Sequence, residues 1–491
     1  MSAVDSDRRI AALMHRKLGR IRDGARPRVL DLFSGCGGLS LGFLRAGFEI
    51  WKRVETDPFA AASHAVNFHG SPQPRSIVEM RRHTADILET EPAWLAESSQ
   101  GNEPAETVDV LVGGPPCQAY ARVGRAKLRQ VMDHPEAFRV DPRGNLYLRY
   151  LEYVEVLKPL VIVMENVPDA LNYGGHNVAE ETVEVLEDLG YRCVYTLLNA
   201  VNYGVPQTRE RMILLACHSS LDIPIAFPEP THHCDLPPGY KGVRSTALRP
   251  LLENGASHYV EPPEADPETC AEAVTVERAL SDLPPIMGHL TGRIRRGPRN
   301  MRESVRYATG AREPYAMEMR NWPSFETDTL VTGHVIRSLP RDYKIFRRMR
   351  PGDQYPEAHT LAERLFESFV ERCRGTRREV PEGSDAWHEL RANFVPPYDP
   401  GKFPNKWRKM EPDQPARTVM AHLGKDSYSH IHHDSRQART ISVREAARLQ
   451  SFPDGFIFAG AMNAAFRQIG NAVPPLLAWR IADTIMGSIS M

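Results

Sequence analysis

Four clusters of residues could do chemistry, and each lies at the end of a short apolar run. Asp31-Leu-Phe33-Ser-Gly35-Cys-Gly37-Gly38 places glycines between a strand and a helix, a turn that lets backbone approach a nucleotide and aims helix N–H groups at it. Glu55 follows Gly35 by 20 residues, which suits a carboxylate accepting hydrogen bonds from ribose hydroxyls. NAD and S-adenosylmethionine fit that layout equally. Val112-Gly-Gly-Pro115-Pro116-Cys117-Gln118 holds a thiol in a rigid turn, where a thiolate would be a strong nucleophile. At Glu165-Asn166-Val167-Pro168 a carboxylate would enter the same crevice, and burial there would favour the protonated form that can donate to a ring nitrogen. Gln207-Thr-Arg209-Glu210-Arg211 adds two guanidinium groups.

Such clusters need a frame. Apolar runs at Val29–Phe33, Val108–Val112, Val161–Glu165 and Met212–Ala216 alternate with helical patterns from Leu39, before Pro159 and near Val183–Leu189. Strands separated by helices predict βαβ units and a mostly parallel sheet with helices on both faces, an α/β class whose ligands bind at the carboxyl ends of strands. A short amphipathic helix is expected before the first strand. Helical patterns also occupy residues 360–373, Val443–Gln450 and Pro475–Ile489, and Pro396–Pro404 reads as a loop. The 491 residues point to more than one core.

The four clusters, in this order, resemble the DNA (cytosine-5) methyltransferase family. Arg444-Glu-Ala-Ala-Arg448-Leu-Gln450-Ser-Phe-Pro453-Asp454 is similar to that family's ninth block, and Gln468-Ile-Gly470-Asn471-Ala-Val473-Pro474-Pro475 to its tenth. The resemblance runs from about Val29 to the C-terminus. It implies a Rossmann-like S-adenosylmethionine-dependent methyltransferase fold and a covalent mechanism. Cys117 would add to C6 of a flipped-out cytosine, Glu165 would hold N3 and the exocyclic amine, and Arg211, with Arg209 beside it, would contact O2. For S-adenosylmethionine the resemblance implies Phe33 against the adenine, Gly35 and Gly38 near the methionine portion, Glu55 on the ribose and Asp86 on the adenine amine. Pro115, Asn471 and Val473 would close that pocket, and no metal is expected.

Two departures stand out. Ala119-Tyr120-Ala121 lacks the hydroxyl the family usually carries near the DNA backbone, and Thr56 stands where a larger side chain often flanks the adenine. Arg122 to Arg129 resembles the mobile loop that closes over DNA, with Gln118, Arg122 and Arg125 as expected contacts.

DNA must be met by a local patch, because 61 Lys+Arg against 62 Asp+Glu leave a net charge of -1. Residues 293–350 supply one, with 14 Lys/Arg against 6 Asp/Glu and interspersed aromatics. Arg293, Arg295 and Arg296 are the expected readers there. The expected organisation is a catalytic and cofactor-binding domain at 1–285, a smaller irregular target-recognition domain at 286–440, and a segment 441–491 whose last helix returns to the first domain. Seven cysteines without a CxxC pair favour a reducing cytoplasm, and neither a secretory signal nor a membrane span is read. A monomer acting on double-stranded DNA is expected, with a cognate restriction enzyme or another defence protein as its companion. Three rivals have distinct signatures. A tRNA methyltransferase would have a compact segment after 285, a non-catalytic regulator would have lost Cys117 or Glu165, and an NAD oxidoreductase would leave Pro-Pro-Cys unexplained.

Overall fold

The computed structural model describes residues 3–97, 103–116, 145–173, 175–236, 240, 244–249, 258–294 and 297–491. They form two compact units, one of residues 1–273, 457–459 and 472–491, the other of 274–456 and 460–471. This division departs from the domain plan expected from sequence in two places. The change of unit comes at Val274, and the ninth block lies in the second unit.

In the first unit, helix α1 (Ala3–Arg22) leads into β1 (Arg28–Leu32), α2 (Gly38–Arg45), β2 (Glu49–Val54), α3 (Pro58–Phe68) and β3 (Val110–Gly113). There follow α4 (Asn145–Leu157), β4 (Val161–Asn166), α5 (Val178–Asp188), β5 (Tyr191–Asn199) and β6 (Glu210–His218). These strands make one sheet in the order β2-β1-β3-β4-β6-β5. The pairings β1–β2, β1–β3 and β3–β4 are parallel, while β4–β6 and β6–β5 are antiparallel. The α/β expectation holds, with a mixed sheet.

Alternation along the strands assigns the faces. Leu30 and Leu32, Ile162 and Met164, and Met212, Leu214 and Ala216 share a core with Tyr150, Tyr153 and Val154 of α4 and Val183 and Leu186 of α5. Asp31 points the other way and meets Ser40 of α2. The last helix, α10 (Pro475–Ser490), packs on α2. Gly42 makes that approach possible, because a Cβ there would lie 2.3 Å from the Trp479 nitrogen and 2.5 Å from the Ala478 Cβ. Gly42→Ala is therefore expected to cost about 1–3 kcal/mol through overpacking against backbone. Denaturant unfolding of the full chain measures this, and an unchanged midpoint would refute the close packing.

The second unit has its own core. Helix α6 (Tyr355–Cys373) is set by a capping box between Gln354 and Glu357. Its Tyr355, Ala362 and Phe366 cluster with Phe346, Trp407 and Ile431. Helix α7 (Asp385–Ala392) lays Trp387 edge-on to Phe366. The ninth block forms α8 (Val443–Leu449), capped by Ser442 and Glu445, and α9 (Met462–Asn471) follows. The charges of α8 are buried. Arg448 pairs with Asp282 at 2.8 Å and Asp454 at 2.6 Å, Glu445 pairs with Arg439 at 2.6 Å, and Arg444 donates to the carbonyls of Thr332, Pro453 and Phe456. Arg439 holds the Glu445 carboxyl well below the usual carboxylate range. Breaking pairs this deeply buried leaves an uncompensated charge, so the block works as scaffold.

Candidate functional site

The carboxyl ends of β1, β2, β3 and β4 carry the candidate residues of the first unit. Beyond β1, Phe33 and Gly35 both take positive φ, 56° and 53°, so the chain turns sharply before α2. Half-buried Phe33 packs against the sheet core. A Cβ on Gly35 would meet nothing within 4 Å, so open space lies before this turn. Beyond β2, Glu55 accepts the Gly35 N–H at 2.8 Å on Oε2 and the Asp57 N–H at 2.7 Å on Oε1. Burial raises its carboxyl above the ordinary value, and the two N–H donors oppose that shift. The Glu55 carbonyl accepts the Ala85 N–H at 2.9 Å, which draws Asp86 to the same rim, where its Oδ1 receives Leu88 N–H. Each carboxylate oxygen keeps a second lone-pair direction. The open turn, the aromatic ring and the two carboxylates fit a nucleoside-bearing cofactor.

Gly38 has another duty. A Cβ there would lie 2.2 Å from the Val473 carbonyl oxygen, so this glycine seats the segment that leads into α10 rather than opening space for a ligand. Val473 is thereby fixed against the start of α2. Asn471, expected beside it, ends α9 in the second unit.

A second corner forms where β3 and β4 end side by side, with Gly113 paired to Met164. Glu165 stands one residue beyond that pair, and its Oε1 lies 2.7 Å from Arg211 Nε of β6. Glu165 is 13% exposed and Arg211 11%, so an ion pair faces the crevice where the sequence suggests a lone buried acid. A Cβ on Gly114 would come within 2.9 Å of Glu165 Oε2, which explains the second glycine of Gly-Gly-Pro-Pro. Asn166 Nδ2 donates to the Pro115 carbonyl at 2.9 Å while its Oδ1 accepts the Val167 N–H. Asn166 thus pins the turn to β4, a role missed in the sequence although its amide beside Glu165 was the available signal.

Arg209 lies near Arg211 as expected, but its guanidinium reaches backbone rather than pairing with Glu165. It is 1% exposed, and its guanidinium donates to the Ala472 carbonyl at 3.0 Å. Burial and the neighbouring Arg211 lower its pKa well below the ordinary value. Its side chain therefore serves the seat of α10, and only Arg211 of the two reaches Glu165. Cys117, Gln118, Arg122 and Arg125 lie outside the described residues, as do Arg295 and Arg296. Cys36, in the glycine turn, is buried, and its thiol is pushed above the ordinary value, so it does not compete as a nucleophile. Among the described residues no group of His, Cys, Asp and Glu could hold a metal ion, and no helix is long and apolar enough to cross a membrane.

Composition overstates the basic face of 293–350. Arg320 is buried on Asp282 and stacks 3.4 Å over the Tyr307 ring. Arg299 donates to the Ile336 carbonyl, Arg337 to Gly424, and Arg341 pairs with Asp342. Arg293, Arg302, Arg306, Arg312, Lys344, Arg347, Arg348 and Arg350 remain exposed.

Residues 27–273 and 303–487 match the family model described as C-5 cytosine-specific DNA methylase. Among curated proteins, M.OihORF3336P of Oceanobacillus iheyensis, named as a type II methyltransferase, is 39% identical over 95% of this chain and 97% of its own. Type II methyltransferase M.AgeI of Thalassovita gelatinovora is 31% identical over 94% and 100%. A prophage-encoded E. coli protein described as a DNA modification methyltransferase shares the fold, with a TM-score of 0.59 at 20% identity over 95% of this chain and 100% of that one. The glycine turn, the Pro-Pro-Cys segment and the Glu165–Arg211 corner therefore occur in a chain that belongs to the C-5 cytosine-specific DNA methylase family.

Proposed function

We propose that the chain methylates cytosine at C5 within a specific double-stranded DNA sequence, using S-adenosylmethionine. The observation that carries this reading is the Glu165–Arg211 pair standing beside the turn that leads to Cys117. Cytosine C5 is a poor nucleophile, so the ring must first become enamine-like. Cys117 thiolate adds to C6 of a base flipped out of the duplex. Glu165 holds N3 and the exocyclic amine, and Arg211, fixed by Glu165, takes O2. Loss of the C5 proton and expulsion of Cys117 then restore the aromatic ring. Phe33, Gly35, Glu55, Asp86 and Pro115, with Val473 behind the turn, would hold S-adenosylmethionine. When bound, it supplies the methyl group.

Residues 1–285 are assigned to catalysis and 286–440 to target recognition. The same reading places the protein in a bacterial cytoplasm, acting as a monomer beside a restriction enzyme or another defence protein. Labelled methyl transfer to genomic DNA and to tRNA separates this reading from its RNA-modifying rival. Label in tRNA alone would overturn it, and bisulfite sequencing of DNA from an expressing host would read the target.

The exposed arginines make a separate prediction. Ala variants of Arg293, Arg347 and Arg348, and of Arg295 and Arg296, are expected to fall into two classes. Loss of a phosphate contact lowers the salt slope of DNA binding by about 0.9 on any sequence, whereas loss of a base reader costs about 1–3 kcal/mol on the cognate site. If all five leave affinity and slope unchanged, recognition lies elsewhere in the second unit. A recess with exposed Phe403 and Met420, bordered by Lys402, His422 and the Lys406–Asp426 pair, is then the next place to test.

A further inference from the structure

A buried polar chain lies behind the glycine turn and is used by none of the steps above. Ser40 Oγ on α2 donates to Asp31 Oδ2 on β1 at 2.6 Å and lies 3.0 Å from His64 Nε2 on α3. All three side chains are fully buried. With the Ser40 hydroxyl committed to the carboxylate, His64 Nε2–H is the donor to Ser40 Oγ. His64 Nδ1 and Asp31 Oδ1 have no hydrogen-bond partner among the described residues. The chain also touches the turn from behind, since a Cβ on Gly37 would lie 3.1 Å from His64 Cδ2 and 2.4 Å from Phe68 of the same helix.

We propose that Asp31, Ser40 and His64 form a hydrogen-bonded strut that positions Gly35 and Glu55 for the cofactor and couples cofactor affinity to the proton on Asp31. The inference rests on reading this turn as the S-adenosylmethionine site. Its geometry is the argument, because the three residues join the strand and the two helices that frame the turn. Protonating Asp31 would reverse the chain. Ser40 would then donate to His64 Nε2, and the imidazole proton would move to Nδ1, where no acceptor is present among the described residues. Leaving a buried donor unmet is costly. The ionised strut is therefore the one in which every donor of the chain is met, only the acceptors Asp31 Oδ1 and His64 Nδ1 being left without partners among the described residues, and it places a negative charge behind a site for a cationic sulfonium.

Burial pushes Asp31 up to about 7, with Glu55 adding to the shift and Ser40 and Arg53 opposing it. Burial holds His64 well below its ordinary value, reinforced by Arg53 and His69. Arg53 from β2, Glu55 just beyond it, Cys36 from the turn and His69 after α3 are the titratable groups around the strut among the described residues.

Calorimetric titration of the full-length protein with S-adenosylmethionine and with S-adenosylhomocysteine, which lacks the sulfonium charge, tests the proposal without relying on turnover. Wild type is expected to bind S-adenosylmethionine about three- to tenfold more weakly as pH falls through the Asp31 transition, the response to a shift of about one pKa unit or less between free and bound states. Ser40→Ala weakens binding, Ser40→Thr restores it, and Asp31→Asn removes the pH step. S-adenosylhomocysteine shows a smaller step. A pH step that survives in Asp31→Asn, or wild-type affinity in Ser40→Ala, overturns the strut while leaving the cofactor assignment standing. Should Asp31→Asn fail to fold, the Ala and Thr variants of Ser40 decide alone. Absence of binding by wild type overturns the cofactor assignment and the strut with it.

Discussion

Cys117→Ser is expected to abolish methyl transfer to DNA and to leave S-adenosylmethionine binding intact. A serine hydroxyl is far less acidic than a thiol and gives almost no nucleophile near neutral pH, so C6 is not attacked and C5 is never activated. The residues proposed for the cofactor are held separately, since Gly35 and Glu55 bond to each other while Pro115 is held by Asn166. A duplex carrying 5-fluorocytosine at the target position provides the complementary measurement. After methylation the adduct holds fluorine where a proton should leave, so wild-type protein stays covalently attached and runs as a stable complex on a denaturing gel. The Ser variant forms no such complex. Normal turnover by Cys117→Ser, or a wild-type protein that releases the fluorinated duplex, would overturn the covalent mechanism.

Strand ends were legible in the sequence because buried parallel strands are continuous apolar runs closed by glycine or proline. Val29–Phe33 and Val161–Glu165 fall within a residue of β1 and β4. Strand direction was harder to see. The apolar runs of β5 and β6 look like those of parallel strands, yet residues 200–209 join them without a helix of crossover length, so the pair closes antiparallel. Side-chain orientation was the least legible. Arg209 and Arg211 are two residues apart, but Arg209 precedes β6, and its guanidinium turns to the backbone at Ala472. Partners distant in sequence also kept the burial of the ninth block's charges out of sight. Arg448 meets Asp282 from more than 160 residues away, and Arg444 donates to the Thr332 carbonyl from more than 100 residues away. The same effect removes Arg320 from the basic face that composition assigned to it, whereas Arg341 pairs with its own neighbour Asp342. His64 gave no motif signal, because its partner Ser40, and Asp31 beyond it, come from two other elements.

Glu165→Gln is expected to lower turnover by about 10² to 10⁴, the range of a lost acid–base group, without unfolding the chain. The amide can still offer hydrogen bonds to N3 and the exocyclic amine. It cannot match the charge of the Arg211 guanidinium 2.7 Å away, nor exchange a proton with the ring as negative charge develops. Arg211→Ala removes the same pair from the other side and also deletes the proposed O2 contact, so it should lose about as much. The two changes act on one unit, and their effects should not add. The double variant is expected to turn over within about tenfold of the slower single variant, a coupling of the size seen for groups in direct contact. Single-turnover rates on a hemimethylated and an unmethylated duplex, at saturating cofactor, isolate this step from product release. Strict additivity would show that Glu165 and Arg211 act independently and that their ion pair is structural. An unchanged rate in Glu165→Gln would place ring activation on another group entirely.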